Sequence, residues 1–338
     1  MNPLPLGRLG RIFRVCVPPA PLLSLLASTL LAQAPAAAPS RAPAATAPFV
    51  APKLKPSGTV LFIGNSFLFG SGSAVRFHRA HTVTDLNGTG FGGVPALFKT
   101  FATQAGLDFT VSLETVSGSG LDLHLEQKAP LIGRAWDRVV MLGQSVLNRE
   151  QPGNPELLIR SAQQLAELLH SKNPQVDIRL IATWSRADQV YPEKGHWHGK
   201  PIEQMAKDVR AAYDRAAAST PFIRGVIPVG EAWNRAFKTG VADPNPYDGV
   251  AYGQVDLWAH DQWHASTHGY YLQALAIFGD LTGLDPRSLG KDERSGWELG
   301  LSPAQATALQ QVAFDELSAQ KPNRKLETFT PISLGKNR

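Results

Sequence analysis

From residue 57 onward, short apolar runs alternate with longer stretches whose apolar residues recur at helical spacing. Thr59-Val-Leu-Phe-Ile63 is almost continuously apolar and predicts a strand buried on both faces. Phe109-Thr-Val-Ser-Leu113 alternates with a period of two and predicts a second strand. Arg138-Val-Val-Met-Leu142, Val176-Asp-Ile-Arg-Leu-Ile-Ala182 and Gly225-Val-Ile-Pro-Val229 predict three more, the last with Pro228 near its end. Between them, Leu97, Phe98, Phe101 and Ala102 mark a helix over 94–105. Leu157, Leu158, Ala162, Leu165, Leu168 and Leu169 mark another over 155–171. Helices are also predicted over 202–218 and 268–281, and Ser302-Pro303 reads as the N-cap and first turn of a last one. Five strands alternating with helices imply an α/β chain: a mostly parallel five-stranded sheet in a three-layer α/β/α sandwich. In such sheets ligands collect beyond the carboxyl ends of the strands, which says where polar chemistry should fall. No internal repeat is visible.

The ends of the chain change this picture. Arg8, Arg11 and Arg14, the apolar stretch 22–32 and the small-residue pattern Ala32-Gln33-Ala34 predict a signal peptide over 1–34. The apolar stretch is short against the roughly 20 residues a spanning helix needs, so no stable membrane insertion is expected after its removal. Ala and Pro dominate 35–56, which reads as a linker. One domain over 57–321 and a polar C-terminal tail over 322–338 complete the division. The chain is expected to be secreted or periplasmic. Its formal charge of +5 includes those three arginines, so the remainder is close to neutral at about +2. No Lys/Arg run with interleaved aromatics follows, and nucleic acid is not an expected partner. Cys16, the single cysteine, lies in the signal, so the mature chain has no thiol nucleophile, thiolate metal site or disulfide.

Two segments carry candidate chemistry. Ser66 follows the first strand directly in Gly64-Asn65-Ser66-Phe67. Gly64 permits a tight turn and Asn65 tolerates unusual backbone angles, which would expose the Ser66 hydroxyl at the edge of the sheet. The same residues also suit a plain helix N-cap. Far along the chain stands Asp261-Gln-Trp-His264-Ala-Ser266-Thr-His-Gly269-Tyr270, opening a predicted helix. Three residues apart on one loop, a carboxylate can orient an imidazole and stabilise its protonated form.

Together these runs resemble the SGNH hydrolase superfamily of GDSL-type esterases and lipases, over roughly residues 58–285. That resemblance implies a flavodoxin-like α/β/α architecture. It implies a serine esterase with Ser66, Asp261 and His264 as catalytic residues and no cofactor. It further implies an oxyanion hole from the backbone of Ser66, a glycine after the second strand, and an Asn after the third. Gly118 is the assigned glycine, with Gly120 as its competitor. The Asn is missing, and Leu142-Gly143-Gln144-Ser145 stands in its place. The run is similar to a branch of the superfamily ending this strand in Gln-Ser, and Gln144 offers the same amide on a longer arm. Asn148 is a second source of an amide.

His260 and His268 flank His264 but fit the pattern less well. His196-Trp-His198 lacks a third ligand, so no metal site is expected. His124 either lines the site or caps local structure; it is grouped with Asn148 as substrate-binding. The Gly-rich stretch 70–92 beside Ser66 reads as an irregular loop and a substrate-facing lid. The first turn lacks Gly-x-Gly-x-x-Gly, which excludes a dinucleotide fingerprint. The expected substrate is a small-molecule or carbohydrate ester, such as an O-acetylated sugar. The alternative is a catalytically weak carbohydrate-binding or envelope-assembly module on the same fold.

Overall fold

Val60, Leu61, Phe62 and Ile63 are completely buried, as a central strand covered on both faces requires. They belong to β1 (Ser57–Gly64) in a computed structural model that describes residues 57–320 and 325–334. The signal and linker predictions at 1–34 and 35–56 lie outside the described residues. After β1 come α1 (Ser66–Phe69), β2 (Thr84–Asp85), α2 (Gly93–Gln104), β3 (Asp108–Thr115), α3 (Leu121–Ile132) and β4 (Arg138–Met141). The chain continues through α4 (Glu156–Lys172), β5 (Asp177–Ala182), α5 (Ala187–Val190), α6 (Glu203–Ala218), β6 (Ile223–Pro228) and α7 (Val229–Lys238). It closes with α8 (Thr267–Thr282), α9 (Arg294–Glu298) and α10 (Pro303–Gln320).

The sheet is parallel throughout, in the order β2-β3-β1-β4-β5-β6. It has six strands, one more than the sequence pattern predicts. The extra strand, β2, is a two-residue edge piece inside the Gly-rich stretch, paired as Thr84↔Ser112 and Asp85↔Leu113. It has no apolar alternation to announce it. The Asp85 carboxylate holds it in place by accepting from the backbone of Asn87, Thr89 and Phe91.

Helices cover both faces. α2, α7, α8 and α10 pack together on one side, and α3, α4 and α6 on the other. α4 buries Leu158, Ala162, Leu165, Ala166 and Leu169, the one-face spacing of an amphipathic helix. On the α2 side, Phe98 meets both Phe62 of β1 and Phe109 of β3. Fully burying a side chain of this kind stabilises by roughly 1.5–3 kcal/mol. Residues 325–334 run back over the domain: Leu284 bridges Glu327, and the Ile332 amide donates to the Gln104 carbonyl at 2.7 Å.

With the β2 edge set aside, the strand order is flavodoxin-like, and the connections reverse direction between β1 and β4. Sheets of this kind bind ligands at that point, beyond the carboxyl ends. Ser66 follows β1 and Gln144 follows β4, so both stand at the predicted crevice.

Candidate active site

Asn65 organises the turn after β1. Its backbone is extended, and its side-chain oxygen accepts from the Phe67 amide at 3.1 Å, which makes it the N-cap of α1. Its side-chain nitrogen donates to the carbonyls of Ser119 (2.9 Å) and Gly143 (3.0 Å), drawing the loops after β3 and β4 against the Ser66 turn. Ser66 is therefore the first helical residue, and Asn65 takes the capping role that the sequence left open to either residue.

The second segment arrives on a tight loop before α8. Asp261 Oδ1 accepts from the backbone amides of Trp263 (3.1 Å) and His264 (2.9 Å). That local turn places Oδ2 2.6 Å from His264 Nδ1. His264 Nε2 lies 2.9 Å from Ser66 Oγ. Serine, imidazole and carboxylate thus form one continuous hydrogen-bonded line. Ser266 caps α8 by accepting from the Gly269 amide. Gly269 is required there, because a Cβ would sit 2.3 Å from the Leu257 carbonyl and 2.6 Å from the Trp233 ring. Tyr270 then reaches back, its hydroxyl shared between the carbonyls of Ser66 and Ser71. Behind His264, the rings of Phe67, Trp184 and Trp233 stack in succession.

Burial pushes the His264 pKa below its ordinary value; the Asp261 carboxylate opposes this and the Arg186 charge adds to it. Burial alone would raise the Asp261 pKa, but its hydrogen bonds from His264 and Trp263 hold it below the usual range. A neutral imidazole bonded at Nδ1 to a carboxylate carries its proton there and leaves Nε2 free to accept from Ser66. The Trp263 indole N–H, 3.3 Å from Nε2, approaches the same lone pair.

Ser66 opens onto a cavity of about 380 Å³ whose walls include Gly118, Gln144, Arg149, Arg186 and Trp263. Gly118 has φ +68°, a conformation that favours glycine, and it lines the cavity. Gly120, its competitor, has extended backbone and serves as the N-cap of α3. Among the described residues, the backbone N–H groups of Ser66 and Gly118 have no hydrogen-bond acceptor. Gln144 donates its side-chain amide to the Gly118 carbonyl, so it fixes the glycine peptide.

Three sequence expectations are corrected. His124 does not line the site: it is 0% exposed, between Glu114 and Ser119. Ser119 Oγ gives its proton to the Val116 carbonyl at 2.8 Å, so it accepts from His124 Nε2, and Nδ1 faces Glu114. This buried chain holds the loop carrying Gly118. His124→Leu should cost about 3–5 kcal/mol by leaving buried Glu114 with the Asn87 amide as its remaining side-chain partner, read as a lower urea midpoint at unchanged m-value. Asn148 is also no part of the cavity; its side-chain oxygen accepts from the amides of Glu150 and Gln151 and closes a turn. Residues 70–92 are not an irregular lid. They contain two short 3-10 turns and β2, and Arg79 is forked onto Glu298 of α9 at 2.6 and 2.7 Å. None of them lines the cavity, and deleting 71–85 would remove β2 and the Ser71 partner of Tyr270.

His260 is exposed and His268 lies in the first turn of α8; neither is hydrogen-bonded to Ser66. His198 bonds the Tyr191 carbonyl, and among the described residues no cluster of three or more His, Cys, Asp or Glu is placed to hold a metal ion. Arg149, Arg186 and Trp263 are cavity residues that sequence reasoning missed. Trp263 sits inside the Asp261–His264 run, which was the available signal for it.

No protein-family model matches the chain, and no curated protein matches it. Solved structures do. A DUF4886 family protein from Bacteroides uniformis superposes with a TM-score of 0.54 at 17% identity, over 80% of this chain and 98% of its own. A candidate GDSL-like lipase from Parabacteroides merdae gives 0.47 at 19% identity, over 69% of this chain and 99% of its own. An α/β hydrolase from a Lake Arreo metagenome gives 0.46 at 18% identity, over 67% and 95%. At 17% identity the likeness to the Bacteroides uniformis protein is one of fold: an α/β chain with a parallel sheet flanked by helices.

Proposed function

We propose that the chain is a secreted serine esterase that hydrolyses carboxylic esters through Ser66, His264 and Asp261. The observation that carries this is the unbroken line from Ser66 Oγ through His264 to Asp261, opening on a cavity. His264 Nε2 takes the Ser66 proton as Oγ attacks the ester carbonyl carbon. The free N–H groups of Ser66 and Gly118 hold the oxyanion, and Gln144 has a second amide N–H for the same task. As the intermediate collapses, the alcohol leaves with the proton from His264, and Ser66 keeps the acyl group. Water, deprotonated by His264, then attacks the acyl-enzyme and releases the acid. Asp261 keeps the imidazole in the required tautomer throughout. No step calls for a metal or an organic cofactor.

Gln144, Ser145, Arg149, Arg186 and Gln189 line the cavity beside Phe67, Val146, Pro152 and Trp263, a mixed wall that suits a polar alcohol, such as a carbohydrate, carrying a short acyl group. The secretion half of the proposal rests on the sequence of residues 1–34. Labelling with a fluorophosphonate and mapping the adduct tests the catalytic half. Modification of Ser66 is expected; modification elsewhere, or none, overturns it. A binding module without catalysis would leave p-nitrophenyl acetate turnover at background, equal in the protein and its Ser66→Ala variant.

The lowered His264 pKa adds a pH signature. The base form is the active one, and it persists to lower pH than for an ordinary histidine. The acid limb of kcat/KM should therefore have its midpoint below about 6.5. A midpoint above that value would mean that burial does not set the basicity of His264.

A further inference from the structure

We propose that this site takes an ester bearing a second, anionic group, such as the carboxylate of an acidic sugar or hydroxy acid, and that Arg149 and Arg186 bind that group. The inference rests on the esterase reading above and names its substrate class. The cavity walls contain two guanidinium groups and no carboxylate.

The two arginines are held differently. Arg186 forks onto Asp188 at 2.9 and 2.7 Å, gives a third N–H to Ser145 Oγ at 3.2 Å, and lies over the Trp263 ring at 5.1 Å. It is rigid, and Asp188 balances its charge. Arg149 has no such counter-ion: among the described residues no carboxylate lies within 4.0 Å of it. Its one hydrogen bond is from Nη2 to the Gly118 carbonyl at 3.1 Å, which leaves further N–H donors of the fork. Nη2 lies 2.5 Å from where a Gly118 Cβ would stand, so an unbalanced cation rests directly on the glycine of the oxyanion loop. Asp188 and Asp261 are each engaged with a partner, and neither they nor Asp122 and Glu150 line the cavity.

A neutral acyl alcohol has no use for such a cation. A carboxylate or similar anion on the alcohol accepts from the guanidinium fork and supplies the missing counter-charge. Arg149 is then a specificity-determining residue, with Arg186 as its fixed neighbour.

The test compares 4-acetoxybenzoate with 4-acetoxybenzamide, matched acetyl esters that differ in one charge, each rate normalised to spontaneous hydrolysis. The protein should favour the anionic ester in kcat/KM by about tenfold or more. The preference should shrink in 0.5 M salt. Arg149→Gln should remove most of it, Arg149→Lys should keep part, and Arg149→Glu should invert it. Arg149 is exposed, so these variants are expected to fold. Equal or better use of the benzamide, or an unchanged ratio in Arg149→Gln, overturns the anion proposal and leaves the esterase standing. Hydrolysis of neither ester with no label on Ser66 overturns both.

Discussion

Ser66→Ala should lower kcat on p-nitrophenyl acetate by on the order of 10⁶-fold, the scale at which a serine hydrolase loses its nucleophile. The size of the effect follows from the geometry. Ser66 Oγ is the single hydroxyl within hydrogen-bond reach of His264 Nε2 among the described residues. Ser117 and Ser145 also line the cavity, but among the described residues neither is hydrogen-bonded to His264. Removing the hydroxyl leaves the unpaired N–H groups of Ser66 and Gly118 in place, so ester binding should persist while acylation disappears. Single-turnover kinetics would separate the two. A fall of less than about tenfold would show that turnover does not pass through Ser66. His264→Ala should be nearly as severe, and the double variant should be scarcely worse than either single one, because the residues act as a unit.

Asp261→Asn should lower kcat by on the order of 10⁴-fold while barely altering the fold. The local turn makes this sharper than a simple loss of charge. Asp261 Oδ1 is pinned by the amides of Trp263 and His264, which only an oxygen can satisfy. An asparagine must keep its oxygen there, which turns its NH₂ toward His264 Nδ1. The ring then has to accept at Nδ1 and carry its proton on Nε2, where it faces Ser66 as a donor rather than an acceptor. Circular dichroism should be unchanged and fluorophosphonate labelling nearly abolished. Retained activity would mean that Asp261 merely shapes the loop.

The fold was largely legible in the sequence because its central strands are buried on both faces, and such strands must be written as apolar runs. Val60 to Ile63 and Arg138 to Met141 are of this kind. β2 was not legible, since a two-residue edge strand held by one aspartate leaves no pattern. α3 was missed for a related reason: only Leu121, His124 and Ile132 are buried along it, and Pro130, a residue that sequence patterns read as a helix breaker, stands inside it. The hydrogen-bonded line from Ser66 to Asp261 was legible because Asp261 and His264 share one loop and Ser66 directly follows a strand. The cavity walls were not. Arg149 and Arg186 lie on loops after different strands, and only the folded chain brings them together. His124 stood close in sequence to Gly118 but points into the core, toward Glu114. Nearness along the chain gave the wrong direction for its side chain.

Tyr270 has a consequence for how the site comes apart. Its buried hydroxyl belongs to α8, yet it holds carbonyls of the Ser66 segment, and α8 itself begins where the His264 loop ends. Ser66 and His264 are 198 residues apart in sequence but are tied to one helix. Any fluctuation that lifts the start of α8 must release both together. Amide hydrogen exchange should therefore report one shared opening for the 66–71 and 261–270 segments, and a Tyr270→Phe change should speed exchange in both by a similar factor.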